Sequence, residues 1–280
     1  MNEKWAVVQK KVGETPLAAI EAWRAAHNIS KDTPLAYAGR LDPMASGTLL
    51  ILIGDECKKQ TAYTHLDKEY STEIILDLHT DTGDLLGIPT LSQQQTILNQ
   101  KTLEKILEEE RGTHTHHYPV YSSKPVNGKP LFMYALEGTL DTIDIPTHEE
   151  TFYRITSERP YTLSGNDLCQ RITQTLEKTP KAPEASKALG ADFRIDEISA
   201  AYSELFPQIA SRSFTVLPLH AIVSSGTYMR TLAPRIGEHL GTFGAALSIH
   251  RDIIGRYIPA GPFSFWLSRY QGDSTPSQSQ

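Results

Sequence analysis

Of the 280 residues, 27 are Lys or Arg and 33 are Asp or Glu, for a formal charge of −6, with 39% hydrophobic and 21% charged residues. This balance excludes a dedicated polybasic tail and a wholly disordered chain, and the longest apolar run, Leu131 to Leu136, is far short of the ~20 residues of a membrane helix. Cys57 and Cys169 are too few for a disulfide framework or a paired-cysteine metal site, and the opening MNEKWAVVQKK lacks a secretory signal, so a cytoplasmic protein is expected.

Along the chain, Thr15-Pro16 followed by Leu17, Ile20 and Trp23 predicts a capped amphipathic helix ending near Asn28. Gly39 to Pro43 carries turn chemistry, and Thr48 to Ile53 reads as a buried strand stopped by Gly54. From Tyr70 the apolar residues Ile74, Leu76 and Leu78 alternate with polar ones, which predicts one half-buried strand with Tyr70 at its entry on the inward face. Thr102 to Arg111 predicts a short helix closed by Gly112. Residues 113–130 read as a long loop with three His, three Pro, Lys124 and Lys129 and no acid. Helical stretches over 166–178 and 195–206, separated by Thr179 to Pro183, suggest a helical insertion at 163–212. Phe214 to Val223 predicts a strand, with Pro218 placing it at a sheet edge. Residues 271–280 have the composition of a disordered tail.

Four short blocks stand out: Gly39-Arg-Leu-Asp-Pro-Met-Ala-Ser-Gly47, Asp67-Lys-Glu-Tyr70, Thr80-Asp-Thr-Gly-Asp84 and Gly226-Thr-Tyr-Met-Arg-Thr-Leu232. Each alone is weak, because Asp-Pro after Gly is usually a plain turn and Asp81 and Asp84 suit an Asx-type turn. In order and spacing they resemble the TruB family of tRNA pseudouridine synthases, whose blocks read G-x-L-D-P-x-A-x-G, D-K-x-Y, T-D-T-x-D and G-T-Y-x-R. Pro119 to Ser123 with Gly128-Lys129, and Gly241 to Gly255, extend the likeness over 39–138 and 223–257.

The resemblance implies an α+β pseudouridine synthase fold, with a central mixed, mainly antiparallel sheet, flanking helices and a catalytic cleft, spanning 1–270. It implies that Asp42 is the catalytic carboxylate, acting as nucleophile at the ribose C1′ or as base at C2′. Burial of a lone carboxylate would neutralise it, so a paired cation is needed, and Arg230 matches the family arginine. Tyr70 matches the tyrosine that stacks on the extruded base and helps remove its C5 proton. The reaction needs no cofactor or metal. His114, His116 and His117 read as loop histidines, since no carboxylate or cysteine partner is evident beside them. The implied partner is tRNA through its T-arm, with no membrane and no protein partner.

Departures are also visible. The family histidine before the catalytic turn maps onto Tyr37, and Arg40 makes Gly-Arg-Leu-Asp closer to the motif of ribosomal-RNA synthases. The family K-P-x-G reads Lys10-Lys-Val-Gly13. Too few residues follow Gly255 for the family's PUA domain, so RNA contact is expected from Tyr37, Arg40, Lys68, Lys124, Lys129 and Arg251. The expected function is isomerisation of the T-loop uridine 55 of tRNA; the alternatives are the same chemistry on another RNA such as rRNA, and a tRNA chaperone that binds without catalysis.

Overall fold

The computed structural model describes residues 3–179 and 194–272. The chain enters as β1 (Trp5–Lys10), followed by α1 (Pro16–Ala26), β2 (Leu35–Ala38) and β3 (Ser46–Ile53). The helix starts as its sequence dictates: Thr15 Oγ1 accepts the Ala18 N–H at 3.1 Å, and Pro16 occupies a position where no N–H is required. A short α2 (Gln60–Thr64) leads to β4 (Asp67–Leu76) and β5 (Leu78–Thr80), and β5 pairs with β6 (Pro89–Leu91). Next come α3 (Gln100–Glu109), β7 (Gly112–His117), the small hairpin β8 (Pro125–Val126) and β9 (Lys129–Pro130), and α4 (Leu131–Glu137). Then follow β10 (Thr147–Ser157), β11 (Tyr161–Ser164), α5 (Gly165–Lys178), α6 (Ile195–Ala210) and β12 (Ser213–Val223). Last are α7 (Met229–His239), β13 (Gly244–Ile258) and β14 (Phe265–Tyr270).

Ten strands form one sheet of order β1-β3-β13-β4-β12-β10-β7, with β2, β11 and β14 attached to β3, β12 and β13. Among the described residues the β13–β3 pairing is the one parallel pairing of these strands, so the fold is α+β with a mainly antiparallel sheet, as expected. Helices bury Leu103, Ile106, Leu168, Ile172, Ile198, Leu232 and Ile236 in the core, each burial contributing about 1.5–3 kcal/mol. Among the described residues, no helix is long and apolar enough to cross a membrane.

Three expectations are corrected. The alternation from Tyr70 to Leu78 is two strands, because Asp77 adopts φ 69° and its carboxylate accepts from Thr96 N–H, Thr96 Oγ1 and Thr242 Oγ1. Left-handed backbone is tolerated by Asp when its short polar side chain finds local donors. Residues 113–130 are not one loop: Gly112–His117 pairs along β10, with His116 opposite His148, and 125–130 form the hairpin. Finally, β12 is an interior strand, lying between β4 and β10. Pro218 is accommodated because its carbonyl accepts from Glu158 N–H at 2.9 Å, beside the turn between β10 and β11. The N–H and C=O of a strand residue share a side, so the missing donor faces that turn and not β4. The helices expected in 163–212 are α5 and α6, packed on one another; residues 180–193 of the proposed insertion, and 273–280 of the tail, lie outside the described residues.

Gly47 lies where β3 meets β13, at φ 104°, and a Cβ there would stand 2.3 Å from the Arg251 carbonyl oxygen. Gly47→Ala is therefore expected to destabilise the fold by roughly 2 kcal/mol or more, because backbone must move. Gly54→Ala, also at positive φ but facing open space, should cost only about 1 kcal/mol. Urea unfolding of the two variants beside wild type measures both; equal costs would refute the close-approach argument.

Candidate active site

Asp42 sits on the turn after β2. Leu41, Met44 and Ala45 on either side of it are buried, which pins the turn to the core while the Asp42 side chain stays 35% exposed. Two buried cations from opposite ends of the chain hold the turn by its carbonyls. Lys10 Nζ donates to Pro43 O at 3.3 Å and to Ala45 O, and Arg251 donates to Gly39 O at 3.0 Å, Arg40 O at 3.2 Å and Thr48 O at 2.8 Å. Burial pushes the Lys10 ammonium down to about 8.

Arg230, in the first turn of α7, is 4% exposed. Its Nε donates to Asp42 Oδ2 at 2.8 Å, Nη1 to Thr82 O at 3.0 Å and Nη2 to Tyr121 O at 2.8 Å. The pair is thus single-pronged, and the rest of the guanidinium orders the walls of the site. Gly83 makes room for this: a Cβ there would stand 2.6 Å from the Arg230 carbonyl oxygen. Next to Arg230, the buried Asp84 accepts from Thr82 Oγ1 and Leu86 N–H, each at 2.9 Å. Desolvation raises the Asp84 carboxyl to about 6, against the pull of Arg230 and with the repulsion of Asp42.

Tyr70 lies in β4 between Ala221 and Arg251, 7% exposed, and lines a cavity of about 420 Å³ together with Asp42, Tyr228, Ile249 and Arg230. That volume suits a nucleoside-sized group. Tyr228, half-buried at the N-cap of α7, forms another wall and meets Tyr118 and His148 edge-on at 6.2 and 5.6 Å. The available sequence signal for Tyr228 is its place in Gly226-Thr-Tyr-Met-Arg230, two residues before the paired arginine. Lys10 and Asp84 also fall within family-like blocks, where the spacing around Asp84 points only to an Asx-type turn and nothing local marks Lys10.

The expected RNA-contacting residues divide. Tyr37, half-buried, and Arg40, exposed, lie at the cleft. Arg251 is corrected: it is 1% exposed, and its guanidinium is spent on backbone carbonyls. Lys68 is corrected too, because it is buried against Thr64 O and Ser225 Oγ at 3.1 Å each, with burial pushing its ammonium down to about 7. Lys129 pairs with Glu137 and covers the Tyr134 ring at 4.3 Å, so its charge is already matched. Lys124 covers the Tyr118 ring at 4.7 Å. Beside His116 the fold does bring a carboxylate, Glu150, at 3.6 Å, and His148 approaches the other oxygen at 3.7 Å. The two imidazoles thus flank the carboxylate, and among the described residues no group of three His, Cys, Asp or Glu converges on a metal position.

The Asp84 carboxyl gives a pH test. An acid whose pKa is raised on folding leaves the protein less stable as pH rises from the unfolded value near 3.8 to the folded value near 6. The stability of Asp84→Asn minus that of wild type is therefore expected to rise between pH 4 and pH 6, by roughly 1–3 kcal/mol, and to level off above. Urea unfolding at several pH values reads the difference; a pH-independent difference would place an ordinary carboxyl at Asp84.

Residues 27–161 match the family model described as TruB family pseudouridylate synthase (N terminal domain). A tRNA pseudouridine synthase B of Caldicellulosiruptor saccharolyticus is 33% identical over 149 residues, covering 53% of this chain and 50% of that protein. Another of that name, from Marinomonas sp., is 26% identical over 253 residues, 90% of this chain and 64% of its own length. The chain thus spans less than two thirds of the length of either relative. Among solved structures, a chain of a Cbf5-Nop10-Gar1 complex superposes with a TM-score of 0.51 at 15% identity, over 89% of this chain and 48% of that one, which is a likeness of fold. Asp42, Tyr70, Asp84 and Arg230 gather at one cleft, and over residues 27–161 this chain is similar to the N-terminal domain of the TruB family of pseudouridylate synthases.

Proposed function

We propose that this protein isomerises a uridine of tRNA, the T-loop uridine at position 55, to pseudouridine. One observation carries the reading: Asp42 stands at the cleft with a carboxylate oxygen 2.8 Å from the buried Arg230 Nε, in a cavity that Tyr70 also lines. A guanidinium at that distance gives the carboxylate a charge-assisted hydrogen bond that holds and orients it where an incoming base displaces water. Asp42 then acts at the ribose, at C1′ as nucleophile or at C2′ as base. The N1–C1′ bond breaks, the base turns within the cavity, and a C5–C1′ bond forms. The C5 proton leaves by a route in which Tyr70 takes part, and a proton goes to N1, so the atoms balance without a co-reactant.

A base inside a folded T-arm must leave its stack to reach Asp42, at a cost of a few kcal/mol that stacking on an aromatic wall offsets. Four tyrosines line the cavity, and of them Tyr70 and Tyr228 are the more buried candidates for such a wall, beside Tyr37 and Tyr121. We read residues 1–270 as one catalytic unit, with Tyr37, Arg40 and Lys124 as the contacts to RNA, and the cytoplasm as its place of work. The test is mapping of pseudouridine in a T-arm hairpin, full tRNA and a ribosomal-RNA fragment after incubation with the pure protein. Product at another uridine, or in the ribosomal fragment alone, would overturn the substrate.

Two variants test the roles. Asp42→Asn is expected to bind the hairpin with wild-type affinity and to form no product, because an amide is neither the nucleophile nor the base; multiple turnover by this variant would remove Asp42 from the chemistry. Tyr70→Phe keeps a ring, and stacking is worth ~1–3 kcal/mol per base, so affinity should change little. Loss of the hydroxyl should slow product formation by about 10²–10⁴-fold in single-turnover assays. Normal turnover by Phe with failure of Tyr70→Leu would make the residue a platform only.

A further inference from the structure

Tyr37 and Arg40, the two residues that depart from the family pattern at the catalytic turn, touch one another: Arg40 Nη2 donates to the Tyr37 hydroxyl at 3.3 Å. The other arm, Nη1, donates to Ser123 Oγ on the loop between β7 and β8, 83 residues further along the chain. Arg40 thereby reaches from the catalytic turn to the opposite wall of the cleft. Two cavities, of about 370 and 420 Å³, meet here, and Tyr37, Arg40, Asp42 and Ser123 line both. Arg40 and the Asp42 carboxylate thus line the same two cavities.

Three features make this contact one that opens. Arg40 is exposed, and among the described residues its side chain has no carboxylate partner; both acceptors are neutral hydroxyls. A phosphate oxygen forms a charge-assisted hydrogen bond that is roughly twice as strong as a neutral one. The wall itself is fixed, since the Tyr121 carbonyl accepts from Arg230 Nη2 at 2.8 Å, its hydroxyl donates to Asp81 at 2.9 Å, and Phe132 N–H donates to Ser122 O at 3.1 Å. The part able to swing is therefore the Arg40 side chain and not the loop. A nucleotide within a polymer also has backbone on both sides of it, which must cross the rim that Arg40 spans.

We propose that Tyr37, Arg40 and Ser123 form a latch across the cleft, which an RNA phosphate releases by taking the Arg40 guanidinium from the two hydroxyls. This rests on the RNA-modifying reading above. The two departures are then one device: the tyrosine hydroxyl supports the arginine in its closed position, and the open arginine grips the RNA it has admitted.

The experiment is stopped-flow association of a fluorescently labelled T-arm hairpin, with pseudouridine formation followed on the same samples and thermal melts as a folding check. Ser123→Ala and Tyr37→Phe each remove one closing bond and keep Arg40, so each should raise the association rate constant about 2- to 10-fold, because the open fraction grows. On an Arg40→Ala background, Ser123→Ala should change nothing. Arg40→Ala itself should speed dissociation and lower the salt slope of binding by about 1, the loss of one phosphate contact. Wild-type association by both single variants, or a Ser123→Ala effect that persists without Arg40, would overturn the latch while wild-type product formation left the enzymatic reading intact. A wild-type protein that neither binds nor modifies hairpin or tRNA would overturn both.

Discussion

The geometry of the cleft depends on one buried cation, Arg230, whose Nε holds the Asp42 carboxylate at 2.8 Å. Its planar guanidinium fixes the directions of its N–H groups, and they point to Asp42, to the Thr82 carbonyl and to the Tyr121 carbonyl. Three segments far apart in sequence are thereby held around one charge: the turn after β2, the turn after β5 and the loop after β7. Removing the charge would leave those groups without their shared donor, so the ion pair orders the site as well as polarising it. Asp84 sets the balance. Two carboxylates beside one buried guanidinium cannot both be ionised cheaply, and burial raises the Asp84 carboxyl to about 6.

Around this centre the chain spends its other buried cations on backbone. Lys10 and Arg251 come from β1 and β13, and both end on carbonyls of residues 39–48. Each desolvated charge is costly, and the bonds it makes to carbonyl oxygens offset the cost while fixing the turn that carries Asp42. The depressed ammonium groups of Lys10 and Lys68, at about 8 and about 7, are the electrostatic trace of that burial.

Secondary structure was readable wherever one rule decided it. Thr15-Pro16 capped α1 because a hydroxyl and a missing N–H suit a helix start, and Asn99, capping α3, repeats the logic with an amide oxygen. Pairing across the chain was harder. Pro218 argued for an edge strand, yet it lies in the interior, because the ladder changes partner from β10 to β11 at that point and spares the missing donor. Periodicity ran unbroken past Asp77, where a single left-handed residue with three hydrogen-bonded donors turned the chain.

By itself the sequence determined single elements, such as the capped helix α1 and the buried strand β3, because capping chemistry and apolar runs are local properties; the α+β sheet and the choice of Asp42, Tyr70 and Arg230 came from the resemblance of its short blocks to a family. What only the tertiary structure decided is how each charge is used. A lysine or arginine in sequence is a cation of unknown address: Arg251 and Lys68 read as contacts for phosphate and are buried against backbone or a hydroxyl, while Lys129 is neutralised by Glu137 eight residues away. The same holds for Arg40, whose partner Ser123 is 83 residues distant. Burial and partnership arise when strands from the two ends of the chain meet in one sheet, and no local pattern encodes that meeting.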